Sequence, residues 1–89
     1  MLTFHIIISG KVQGVFYRST AKKKADEIGI TGCIKNTGKG NVEAIASGKR
    51  EQVKNFIRWC ERGPSNAVVS HVTTNQIEDA KFDDFEILR

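Results

Sequence analysis

Apolar residues along this 89-residue chain switch repeatedly between a spacing of two and a spacing near 3.6, and their order limits the possible folds. Residues 3–9 alternate as a strand does. Residues 17–28 place apolar side chains every three or four positions, which predicts a helix, and Gly29 is well placed to end it. Residues 30–36 and 41–47 alternate again on either side of a glycine turn, which predicts a hairpin.

The second half of the chain adds one helix and one long strand. Residues 48–62 carry an apolar stripe that Gly63-Pro64 stops. Residues 67–77 are rich in valine and predict a fourth strand, and residues 85–88 predict a short fifth. The order βαββαβ predicts a split βαβ, or ferredoxin-like, α+β sandwich, in which an antiparallel sheet carries both helices on one face. This fold class does not select a function.

The length and composition fit one globular domain, which we place at residues 1–89. The chain is 39% hydrophobic and 27% charged, which excludes wholesale disorder. No apolar run approaches the ~20 residues of a membrane span, and no secretory signal pattern is visible at the N-terminus. We therefore expect a cytoplasmic protein without a membrane partner, in which Cys33 and Cys60 are free thiols.

Positive charge is concentrated in the first two thirds of the chain. Residues 1–64 have a formal balance of +7, and residues 65–89 a balance of −3. A basic surface suits an anionic ligand, either a small phosphate or a nucleic acid backbone. Charge alone favours a solvated basic surface, which is also the usual interpretation of a run such as Lys22-Lys23-Lys24.

The most unusual segment is residues 10–18, Gly-Lys-Val-Gln-Gly-Val-Phe-Tyr-Arg, between a predicted strand and a predicted helix. A loop that enters a helix presents backbone N–H groups and the positive end of the helix dipole. Gly10 and Gly14 would let the backbone approach an anion, and Arg18 could bind phosphate oxygens with its planar fork of donors. The alternative interpretation, an ordinary strand-to-helix loop with two turn glycines, remains open. The segment matches neither the Walker A nor the dinucleotide-binding pattern.

Four other polar or aromatic residues are site candidates. Asn36 ends the predicted second strand, where it is either a turn residue or an amide that holds a water or a substrate oxygen. His5 and His71 have no visible catalytic partner, and we interpret them as packing or surface residues. Trp59 is interpreted as packing at the margin of its helix. No residues show metal-ligand spacing, so we predict no metal site.

Three stretches together resemble the acylphosphatase family. Residues 8–18 are similar to its first signature, V-Q-G-V-x-F-R. Residues 32–48 are similar to its second signature, in which Gly, an aromatic, a small apolar and a basic residue are followed by N-x-x-x-G-x-V and, six residues later, by Gly. Residues 59–69 resemble its W-C-x-x-G-P-x-x-A-x-V stretch. Tyr17 replaces the usual Phe, with little expected effect. Cys33 replaces the usual aromatic, which we expect to loosen the setting of Asn36.

The resemblance implies hydrolysis of acyl phosphates, the mixed carboxylic–phosphoric anhydrides, to carboxylate and inorganic phosphate, which would also inhibit. Carried over by position, Arg18 binds the phosphoryl group and Asn36 orients the attacking water. The other phosphoryl oxygens would be cradled by backbone N–H groups of Gln13, Gly14, Val15, Phe16, Tyr17 and Arg18. The resemblance implies no cofactor, no metal and no phosphoenzyme. We further expect a monomer whose partner is a small acyl phosphate rather than a nucleic acid.

Two alternatives without catalysis remain. A basic ferredoxin-like module can bind RNA across its sheet, but the predicted central strands offer only Phe4, His5 and His71 and no cluster of stacking aromatics. The other alternative is a phosphate-binding domain that kept the fold and lost turnover. The presence of both Arg18 and Asn36 favours the enzyme.

Overall fold

The protein, described over residues 1–88 by a computed structural model, has two helices on one face of a five-stranded sheet. The strands are β1 (Leu2–Lys11), β2 (Thr31–Asn36), β3 (Val42–Gly48), β4 (Val68–Ile77) and β5 (Phe85–Ile87), and the helices are α1 (Tyr17–Ile28) and α2 (Arg50–Arg62). Their order across the sheet is β4-β1-β3-β2-β5. The predicted ferredoxin-like class is confirmed, and each predicted boundary lies within two residues of the observed one.

The four long strands pair antiparallel, as predicted, whereas β5 runs parallel to β2. Beyond the ladder itself, the Leu88 N–H donates to the Ile34 carbonyl at 2.8 Å, and Lys22 Nζ donates to the Phe85 carbonyl at 2.7 Å. The interpretation of Lys22 as a solvated side chain is therefore wrong, because its ammonium group ties α1 to β5.

The core fills the space between the sheet and the helices. Helix α1 buries Tyr17, Ala21 and Ala25, spaced four residues apart, so its small alanines allow close approach to the sheet. Helix α2 buries larger side chains, including Phe56, whose ring meets that of Phe85 edge-on at a centroid distance of 5.5 Å. Gly29 ends α1 in the left-handed conformation with φ 96°, as predicted.

The opposite face of the sheet is covered at one end by the chain between β4 and β5. The buried hydroxyls of Thr3 and Ser47 lie 2.6 Å apart. The Ser47 hydroxyl donates to the Ala80 carbonyl, and the Ala80 N–H donates to Thr3 Oγ1. These bonds satisfy polar groups that would be costly to leave unpaired in a buried position.

The uncovered part of that face carries polar residues such as His5 and Glu43 beside the aliphatic Ile7 and Ile45. His71 lies on β4 at the edge of the sheet, so its predicted place on a central strand is wrong. Phe4 shares the helix-facing side with Ile6 and is packed against the core. No strand residue on the open face, within residues 1–88, is a Phe, Tyr or Trp. The surface therefore lacks the stacking platform that RNA-binding sheets use.

No helix within residues 1–88 has the length and apolar character to cross a membrane.

Candidate active site

Gly10 and Gly14 have different roles, which the sequence did not separate. Strand β1 continues through Gly10, where a bulge shifts its register with β4. A Cβ at Gly10 would collide with the backbone of β4, including the Ser70 nitrogen at 2.7 Å, so this glycine allows close approach of two strands. The expectation that Gly10 approaches an anion is wrong. Gly14, with φ 73° and open space around it, lies in the loop itself.

The loop ends at Phe16, which begins α1 in the left-handed conformation (φ 64°, ψ 25°). Within residues 1–88 it is the sole non-glycine residue with positive φ, a conformation that costs about 1–2 kcal/mol for a side chain of this kind. Its carbonyl accepts hydrogen bonds from the Thr20 N–H and from the hydroxyls of Ser19 and Thr20. The first turn of α1 is thereby fixed at its start.

The backbone N–H groups from Gln13 to Arg18 are free to bind a ligand. Across the described residues, none of these N–H groups donates to a backbone or side-chain acceptor of the protein. The last of them belong to the first turn of α1, whose dipole adds partial positive charge. Such an arrangement of donors favours an anion, above all a phosphoryl group.

The side chain of Gln13 ties this loop to the turn that follows β2. Its Nε2 donates to the carbonyl of Thr37 at 2.9 Å and to that of Asn41 at 2.8 Å. The same turn is closed by the Thr37 N–H, which donates to the Asn41 carbonyl. The sequence motifs predicted only a backbone role for Gln13, because the partners of its side chain lie 24 and 28 residues away.

Asn36 is the last residue of β2, and alternation along the strand places it on the helix-facing side. It lies two residues after the buried Ile34 and pairs with Val42 of β3. Its Oδ1 is buried, and among the described residues it is the one buried side-chain oxygen or nitrogen that lacks a hydrogen-bond partner. A buried acceptor left unpaired costs stability, so a ligand or a water is the expected partner.

Arg18 and Asn36 line the same open pocket, which has a volume of about 360 Å³. Arg18 is half-buried, and no ion pair or hydrogen bond within residues 1–88 involves its guanidinium. The pocket is lined by Val12, Gly14, Phe16, Tyr17, Arg18, Ser19, Asn36 and Ile87. The lining contains one full positive charge and no carboxylate, thiol or imidazole.

The sequence predicted five of these lining residues and missed three. Gln13 and Val15, also predicted, do not line the pocket through their side chains: Gln13 is bonded elsewhere and Val15 is buried. Ser19 was missed, although its position one residue after Arg18 in the first helical turn could have indicated it. Ile87 was missed because only the pairing of β5 with β2 brings it to the pocket.

Tyr17 and Trp59 are buried aromatic residues that pack against each other. Their rings pack at 5.3 Å, and the Tyr17 hydroxyl donates to the Cys60 carbonyl at 2.6 Å, which joins the two helices. Burial raises the pKa of the Tyr17 phenol. The replacement of Phe by Tyr therefore adds a hydrogen bond to the retained ring, and the interpretation of Trp59 as a packed residue is confirmed.

Cys33 and Cys60 are free thiols, as predicted. Burial raises the pKa of Cys60 to about 12, and burial also raises that of the half-buried Cys33. Cys33 pairs with Ile45 and therefore lies on the open face of β2, opposite to the face that carries Asn36. The side chain of Cys33 therefore does not pack beside that of Asn36, and any loosening of Asn36 would have to pass through the strand backbone.

His5 and Glu43 form a polar pair away from the pocket, on the open face. His5 Nε2 lies 2.6 Å from Glu43 Oε2, and Lys35 Nζ lies 3.5 Å from Glu43 Oε1. The hydrogen bond from His5 is the main cause that holds the pKa of the Glu43 carboxyl below its usual range. Within residues 1–88, no three His, Cys, Asp or Glu side chains are grouped as metal ligands.

Comparison with known proteins agrees with the motifs and with the fold. The family model described as acylphosphatase matches residues 4–87. The chain belongs to the acylphosphatase family. An acylphosphatase of Marinobacter nauticus is 42% identical over 83 residues, which cover 92% of this chain and 90% of that protein.

Solved acylphosphatase structures share the architecture over almost the full length. The structure from Coxiella burnetii has a TM-score of 0.94 and 39% identity, and the match covers 98% of this chain and 92% of that one. The Bacillus subtilis structure has a TM-score of 0.96 at 28% identity and covers both chains completely. The fold of the family is thus retained here.

Proposed function

We propose that this protein is an acylphosphatase that hydrolyses the carboxyl–phosphate bond of small acyl phosphates, releasing a carboxylate and inorganic phosphate. The observation that carries the proposal is one pocket that contains both a guanidinium and a buried amide oxygen, neither of which has a partner within residues 1–88. The first suits a phosphoryl group and the second suits a water. Membership of the family supports the same activity.

Arg18 and the loop backbone bind the phosphoryl group in this mechanism. The guanidinium offers a planar set of N–H donors and a charge that no carboxylate of the described residues neutralises. The free N–H groups from Gln13 to Arg18 supply further donors. Because these dipoles are already oriented, little reorganisation is needed as charge develops on the transferring group.

Asn36 holds the nucleophile. Its Oδ1 accepts a hydrogen bond from a water, which directs an oxygen lone pair toward phosphorus in line with the leaving group. As the water oxygen bonds to phosphorus, the bond from phosphorus to the acyl oxygen breaks, and the carboxylate leaves with its electron pair. The proton of the water passes to an oxygen of the phosphoryl group itself. No phosphoenzyme forms.

The chemistry of the substrate explains why such a sparse site can suffice. A carboxylate is a weakly basic leaving group, so it departs without protonation by a strong general acid. The barrier then depends mainly on position and on charge at the transferring phosphoryl group. The pocket offers these two contributions, whereas its lining carries no side chain that titrates near neutral pH.

Release of inorganic phosphate from benzoyl phosphate is the experiment that tests this proposal. Turnover should saturate with substrate, should be inhibited by inorganic phosphate, and should persist in excess chelator. Loss of activity in the chelator, with recovery on adding a divalent ion, would contradict a metal-free mechanism. Binding of phosphate without turnover would instead identify a non-catalytic phosphate-binding domain, and salt-sensitive binding of single-stranded RNA would support the RNA-binding alternative.

A further inference from the structure

Phe16 is an exposed aromatic residue at the active-site pocket. Its side chain is 75% exposed, yet it is among the residues that line the pocket with Arg18 and Asn36. A single exposed apolar side chain is normal on a protein surface, so the position of Phe16 in the pocket lining is the observation that matters. The backbone N–H of Phe16 is one of the proposed donors to the phosphoryl group, but the ring has no role in that chemistry.

Neither folding nor local conformation explains a phenylalanine at this position. The left-handed backbone of residue 16 suits Gly or Asn and disfavours a bulky side chain. Its exposure means that the ring adds little to the core. Its carbonyl is held by the Thr20 N–H and by the hydroxyls of Ser19 and Thr20, so the strained backbone is kept in place. Strain maintained in this way is common at binding sites.

The rest of the pocket lining also has an apolar part beside the polar one. Val12 and Ile87 line the pocket, and Ile87 comes from β5, on the helix-facing side that Asn36 also occupies. A phosphoryl group needs no apolar surface. The acyl group attached to it is the part of the substrate that an aromatic ring could hold.

We infer that Phe16 forms an acyl-binding subsite, which favours acyl phosphates with aromatic or bulky apolar acyl groups over acetyl phosphate. The inference rests on the proposed function for its substrate class. The ring packs against the acyl group while the loop and Arg18 hold the phosphoryl group. Because the two contacts involve different parts of the substrate, loss of the ring changes selectivity between acyl groups.

Binding of stable phosphonate analogues tests the subsite without requiring turnover. Affinities for benzoylphosphonate and acetylphosphonate would be measured by calorimetry on the wild type, Phe16→Asn and Phe16→Leu. Asn suits the left-handed backbone, so this variant should fold. The preference for the benzoyl analogue should fall about five- to tenfold in Phe16→Asn, the size expected for loss of an aromatic contact, and less in Phe16→Leu.

The matched control is Ile77→Ala, a partly exposed apolar residue at the far end of β4, where the preference should equal that of the wild type. The same shift should appear in the ratio of kcat/KM for benzoyl and acetyl phosphate. A preference unchanged in Phe16→Asn would overturn the subsite. The subsite would also be overturned if the wild type self-associates and Phe16→Asn abolishes this association while the preference stays unchanged, since the ring would then serve a protein contact. Absence of turnover in the wild type would refute the proposed function alone, because the analogue measurement stands apart from it.

Discussion

Gln13 bonds the loop between β1 and α1 to the turn after β2, and its replacement should reduce both stability and turnover. Gln13→Ala removes two hydrogen bonds, to the carbonyls of Thr37 and Asn41. Each neutral hydrogen bond contributes about 0.5–1.5 kcal/mol, so the free energy of unfolding should fall by about 1–3 kcal/mol. For a domain of this size the Tm should drop by about 10 °C.

The effect on catalysis follows from the same contact. Without the Gln13 amide, the loop that leads into α1 and Arg18 is no longer bonded to the turn directly after Asn36. Small errors in the position of reacting groups are costly, so kcat should fall about tenfold or more at a temperature well below the Tm. Inhibition by phosphate should change less, because the free N–H groups and the guanidinium remain. Gln13→Glu should be less stable still, because its carboxylate faces two carbonyl oxygens without a donor.

The assay is kcat, phosphate inhibition and Tm on one preparation of each variant. Gln76→Ala is the matched control, because this glutamine is exposed on β4 and makes no side-chain hydrogen bond within the described residues. Its Tm and kcat should equal those of the wild type. A Gln13→Ala protein with the Tm and the kcat of the wild type would refute the positioning role.

Three further predictions concern single side chains. Arg18→Ala should abolish measurable turnover and weaken phosphate inhibition at an unchanged Tm; near wild-type turnover would show that phosphate is bound elsewhere. The folded pKa of Glu43 lies below its unfolded value of about 4.3. The ionised carboxylate therefore contributes to the free energy of unfolding, by under about 1 kcal/mol, above that pH, and this contribution is lost as the pH falls through the folded pKa. The Tm of Glu43→Gln should therefore depend less on pH between about 6 and 3, and an identical profile would contradict the pairing with His5. The thiol of Cys60, with a pKa of about 12, should react with a thiol reagent at neutral pH only in denaturant when tested in a Cys33→Ala background.

The fold could be predicted because each long element has its own hydrophobic period. The second strand was predicted to end at Asn36, and β2 does end there. The parallel pairing of β5 could not be predicted, since three residues carry no register information and the bond from Lys22 to Phe85 spans 63 positions.

The candidate site was predicted in part for a comparable reason. Arg18, Gly14 and Asn36 carry the family signatures, so their positions were available from sequence motifs. The hydrogen bonds of the Gln13 side chain and the role of Gly10 depend on neighbours distant in sequence, namely the β2–β3 turn and β4. The roles assigned to Arg18 and Asn36 remain predictions that mutants must test.

Asn36→Ala tests the central claim most directly, because it separates catalysis from folding. Loss of a positioned group that acts in the transition state should lower kcat by about 10²–10³, or about 3–4 kcal/mol, while phosphate inhibition changes only a few-fold. The Tm should not fall, because Oδ1 has no partner among the described residues to lose. Asn75→Ala, on the exposed edge strand β4, should match the wild type throughout. An Asn36→Ala protein with a lower Tm and wild-type kcat would make Asn36 a structural turn residue and would contradict the proposed mechanism.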